Sequence, residues 1–113
     1  MTAFPSANPV VSLTVQTSAG TITVKGRDAW ALNALIEGGL IGVTPIDRPA
    51  PRWSHYVFKL RRAGINVETI DEAHGGPYSG HHARYVLRTS LAVVAVVRQQ
   101  DELAARARRA EAA

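Results

Sequence analysis

The sequence predicts a small α+β fold. Three patterns carry this: strand-like alternation near the amino terminus, helical apolar spacing through the middle, and a second alternating pair of segments after it. A chain of 113 residues, 46% hydrophobic and 19% charged, has the composition of one folded domain and is too short for two independent cores.

Residues 1–10, with Pro5, Asn8 and Pro9, read as a flexible tail. In 11–26, Val11, Leu13 and Val15 alternate with Ser12, Thr14 and Gln16. After a turn at Ser18, Ala19 and Gly20, Ile22 and Val24 alternate with Thr21 and Thr23, which predicts a β-hairpin. Asp28 is placed to cap a first helix carrying Ala31, Leu32, Leu35 and Ile36 on one face, and Gly38-Gly39 ends it. Residues 40–43 are apolar and fit a brief strand. Thr44-Pro45 then opens a short second helix that Pro49 and Pro51 close.

A third helix is expected over 52–63, with Trp53, Tyr56, Val57 and Leu60 in one arc and Gly64 at the C-cap. Ile65, Val67 and Thr69 alternate as a strand, 71–82 form a loop with three glycines, and Ala83, Tyr85 and Leu87 mark the returning strand. From Ser90 the valines favour a strand, yet 99–113 are strongly helix-forming, and one helix over 91–113 is the preferred reading.

Helix, short strand, helix, helix and hairpin is the order of a winged helix-turn-helix. The fold expected is therefore a winged helix over 27–90, with an added N-terminal β-hairpin and a C-terminal helix. The charge supports this order: net +4 overall, and a local +4 in 44–62, where Arg48, Arg52, Lys59, Arg61 and Arg62 face Asp47 alone. On a helical wheel Arg52, His55, Lys59 and Arg62 lie opposite the apolar arc, with Ser54 and Arg61 on a shoulder. That is a face suited to a major groove. Phe58 falls near the edge of this polar face.

The double-stranded DNA contacts expected are Arg52, Ser54, His55, Lys59 and Arg62 from the third helix and Thr44 and Arg48 from the second. Tyr78, Ser79, His81, His82 and Arg84 are expected from a wing over 71–84. No catalysis, cofactor or metal is expected. Ser54 and His55 are adjacent on a helix and point apart, and no paired carboxylates or nucleophile elbow is present. His74, His81 and His82 lack zinc-finger or HExxH spacing, and the Gly75 to Gly80 outline of a phosphate loop has His81 in place of the lysine. There is no cysteine, no signal-like amino terminus and no apolar run near 20 residues, so a cytoplasmic, non-membrane protein is expected.

Residues 29–87 resemble the small winged-helix domains of bacterial phage and mobile-element proteins. The likeness is carried by Arg52-Trp53-Ser54, Val57, Leu60-Arg61, Gly64 and Val67-Glu68-Thr69, followed by Ala83 through Leu87. The resemblance implies a recognition helix leading into the first wing strand and duplex DNA as ligand. Its largest functional class is transcription control, the next recombination directionality or another accessory role. The added hairpin and residues 91–113 stand outside that pattern and are candidates for a homodimer or a protein partner, such as polymerase or another regulator, in a protein-interaction module.

Overall fold

A computed structural model describes residues 8–50, 52–77 and 80–112. Residues 1–7 of the tail expected over 1–10, Pro51, and the wing residues Tyr78 and Ser79 lie outside the described residues; the end of that expected tail is structured, with Asn8 and Pro9 accepting hydrogen bonds from Gln100 and Gln99 and Val10 opening the first strand.

The elements run β1 (Val10–Thr17), β2 (Gly20–Lys25), α1 (Arg27–Gly38), α2 (Trp53–Arg62), β3 (Val67–His74), β4 (Gly80–Leu87), β5 (Leu91–Arg98) and α3 (Gln99–Ala112). β2, β1 and β5 form one antiparallel sheet in that order, and β3 pairs with β4 in a second. The amino-terminal hairpin forms as expected, but a register shift between Val10 and Ser12 moves Val10 into the core place anticipated for Val11. On the other face Thr14 and Thr23 bond across the strands at 2.9 Å.

α1 lies on the apolar face of β1 and β2, where Leu13, Val15, Leu32 and Leu35 are fully buried. Its amino-terminal cap is Gly26, at φ 67°, and makes no side-chain cap bond. Asp28 therefore sits in the first turn and not at the cap.

Two expected elements are corrected. The second helix shrinks to one turn: Thr44 accepts the amide of Asp47 at 3.1 Å and Arg48 N–H reaches the Thr44 carbonyl at 3.0 Å, but no further turn is added before Pro49. The helix preferred from Ser90 is a strand as far as Arg98, pairing along β1, and helix begins only at Gln99. The predicted strand over 40–43 reduces to Val43, which bridges Tyr85 with 2.8 Å hydrogen bonds in both directions.

That bridge joins the turn to the β3–β4 hairpin. Gly42, at φ 84°, makes it possible: a Cβ there would stand 2.6 Å from the Tyr85 carbonyl oxygen and 2.8 Å from Val86 Cγ2.

Candidate nucleic-acid interface

α2 is held by one apolar face. Trp53, Tyr56, Val57 and Leu60 are all buried, and burying Val57 and Leu60 alone contributes about 1.5–3 kcal/mol each, more than ten residues of helix propensity supply. Trp53 stacks on Tyr85 with ring centroids 5.8 Å apart and meets Trp30 of α1 at 5.5 Å. Its indole N–H donates to the Arg48 carbonyl at 2.7 Å, so one residue joins the turn, α1 and the hairpin to α2.

The helix ends as the sequence indicates. Gly64, at φ 104°, donates to the Arg61 carbonyl while Ile65 donates to that of Leu60, a Schellman closure with Leu60 and Ile65 both buried.

The opposite face is exposed and carries Ser54, His55, Phe58, Lys59 and Arg62, with Arg52 just before it at the N-cap. His55, Phe58, Lys59 and Arg62 line an open recess of about 300 Å³. The Arg62 guanidinium lies 5.7 Å from the centre of the Phe58 ring, which is 52% exposed. Lys59 Nζ is 3.1 Å from Asp28 of α1. This pair is partly exposed, and such surface pairs are worth about 0–1 kcal/mol, so a phosphate can displace the aspartate.

The β3–β4 hairpin is more regular than the glycine-rich loop expected over 71–84. Its strands continue to His74 and resume at Gly80. One side-chain chain runs along it: His74 and His82 stack with their Nδ1 atoms 2.9 Å apart, His82 Nε2 meets Glu72 at 2.9 Å, and Arg84 holds both oxygens of Glu72 at 2.7 and 2.8 Å. Arg84 also donates to the Ile41 carbonyl at 3.1 Å. These contacts, led by the Arg84 hydrogen bonds, pull the Glu72 carboxyl down from 4.5 to about 2.

A model of the winged helix domain family matches residues 21–97, more than half of the chain. The chain belongs to the winged helix domain family. No curated protein and no solved structure gave a match to it.

α2 is the helix expected over 52–63, here Trp53–Arg62 with Arg52 as its N-cap at φ −141°, and the β3–β4 hairpin spans the segment expected as the wing. The expected contact residues separate into two groups. Ser54, His55, Lys59 and Arg62 are exposed on the outer face of α2, and Arg52, also exposed, stands just before it as the N-cap.

The other expected contacts among the described residues have partners within the chain. Thr44 is 2% exposed and its hydroxyl accepts the Asp47 amide, which caps the turn. Arg48 pairs with Glu37 at 2.9 Å, His82 and Arg84 belong to the wing's internal chain, and the exposed His81 pairs with Asp71 at 3.0 Å.

Arg61 is likewise structural. Its guanidinium donates twice to the Val67 carbonyl and once to Thr69 Oγ1, fastening α2 to β3. The local +4 of the sequence thus overstates the outward charge, which is carried by Arg52 and Arg62, with Lys59 paired to Asp28. Phe58 is the residue underrated by sequence reasoning. The helical wheel already places it between Ser54 and Arg62, in the middle of the polar face.

Among the described residues no group of three or more metal-ligating side chains occurs, and no helix is long and apolar enough to cross a membrane.

Proposed function

We propose that the protein binds double-stranded DNA sequence-selectively, laying the outer face of α2 in the major groove and acting as a transcriptional regulator without catalysis or cofactor. One observation supports this: α2, which leads into the β3–β4 hairpin, exposes Ser54, His55, Lys59 and Arg62 around Phe58, with Arg52 at its N-cap, while Trp53 on its other face packs on Trp30 of α1 and Tyr85 of β4.

Arginine at the amino-terminal end of such a helix is suited to bidentate guanine contact, Lys59 and Arg62 to phosphate, and Phe58 to a thymine methyl. The wing serves chiefly as a rigid flank, since its long polar side chains are paired, and it offers the backbone of Gly75 and Gly76 to the DNA.

Selection of bound fragments from a random duplex pool tests the reading. A recurrent motif is expected, and Arg52→Ala should lose preference at one base position at a cost of about 1–3 kcal/mol. Recovery of unrelated sequences, or of none, contradicts it.

A further inference from the structure

β5 is an edge strand. It pairs with β1 on one side, and among the described residues its other edge has no partner. Its register sets Leu91, Val93 and Val96 beside Thr17, Val15 and Leu13, on the sheet face that α1 covers. The cover stops at β1. Leu13 and Val15 are 0% exposed, whereas Val93 and Val96 are 46% and 40% exposed, and Val94, where the register shifts, is 61% exposed. Between Leu91 and Val97 there is no charge and no proline, the usual guards of an exposed edge.

α3 is also lightly held among the described residues. It touches the rest of the protein chiefly at β5 and at the residues preceding β1, where Gln99 and Gln100 donate to Pro9 and Asn8. The radius of gyration is 16.2 Å, against about 13 Å for a compact chain of this length, and the longest dimension is 57 Å. Helical spacing puts Leu103, Ala107 and Ala110 on one stripe, with Leu103 53% exposed.

We infer that β5 and α3 form a two-fold interface with a second copy of this chain, β5 pairing antiparallel with its counterpart. Antiparallel pairing sets the α3 that extends beyond Arg98 in one copy beside the segment leading into Leu91 in the other. That segment borders an apolar recess of about 320 Å³ between α1 and the start of β5, lined by Leu35, Ile36, Leu40, Leu87 and Leu91 among others, with Leu40 85% exposed.

Each α3, about 21 Å long, therefore reaches the partner's recess with its Leu103 stripe. Covering the exposed parts of Leu40, Val93, Val94, Val96 and Leu103 on both copies removes on the order of 1,000 Å² of apolar surface, enough to enter the range of specific interfaces.

Sedimentation of the full chain tests the inference. The wild type should run at twice 12.1 kDa at micromolar concentration. Val94→Lys, at an exposed site, should run as a monomer with unchanged far-ultraviolet circular dichroism. Leu103→Glu, which leaves β5 intact, should weaken the dimer at least tenfold, and it decides the matter if Val94→Lys does not fold. A monomeric wild type at about 100 μM, or a dimer that neither substitution weakens, overturns the proposal. These readouts contain no DNA, so their failure is separate from any failure of DNA binding.

Discussion

Gly42→Ala is the substitution whose cost the structure defines most fully. Its φ of 84° lies where an L side chain loses about 1–2 kcal/mol. The new Cβ would also meet the Tyr85 carbonyl at 2.6 Å, a backbone atom that cannot swing aside. Relief requires the turn to leave β4, which breaks the two 2.8 Å bonds between Val43 and Tyr85 at about 1 kcal/mol each.

The expected loss is about 3–4 kcal/mol, a large part of the stability of a domain this size. Urea unfolding followed by tryptophan fluorescence measures it, because Trp53 stacks on Tyr85 and reports the same junction. Gly39→Ala, at φ 54° with open space around it, isolates the backbone component and should cost about 1–2 kcal/mol, while Gly75→Ala, open and without a positive φ, should fall within about 0.5 kcal/mol. A Gly42→Ala loss no greater than that of Gly39→Ala would refute the close approach.

Asp28→Asn releases Lys59 from its 3.1 Å partner and should tighten DNA binding up to about fivefold, with stability changed by less than about 1 kcal/mol; fluorescence anisotropy checks the first and thermal melting the second. Arg61→Ala removes three hydrogen bonds from α2 to β3 and should lower stability by about 1–3 kcal/mol, seen in urea melts, while leaving the salt dependence of DNA binding as it was. Glu72 has a folded-state pKa below its unfolded value, so its contribution to stability is complete above about 4.5 and is lost as pH falls through about 2. The Glu72 side-chain carboxyl shift in NMR should hold from pH 5 to 3, and a Glu72 carboxyl that titrates near 4.5 would contradict the bidentate Arg84 pairing.

Elements with a strong local signal are legible in the sequence. α2 is one, because its apolar arc and Gly64 closure are written within thirteen residues. The amino-terminal hairpin is another, through its threonine alternation. The elements that escape depend on distant partners. β5 reads as helix because its mate, β1, lies about eighty residues away and helix-forming residues come directly after it. The second helix is overextended because a good N-cap and a proline start say nothing about where the chain must turn to meet Trp53.

The candidate site shows the same division. The outer face of α2 can be read from the wheel, but the sequence does not show that Arg48, Arg61 and Arg84 have hydrogen-bond partners within the chain, or that Thr44 is buried. Counting cations locates a basic segment; only geometry separates those that turn outward.

That α2 meets DNA with its outer face is tested most directly by duplex affinity as a function of salt. Affinity should fall steeply between roughly 50 and 200 mM salt, and Arg62→Ala and Lys59→Ala should each reduce the slope of log K against log salt by about 1. Absence of duplex binding at low salt, or slopes that neither substitution alters, would contradict a DNA-binding role for this face.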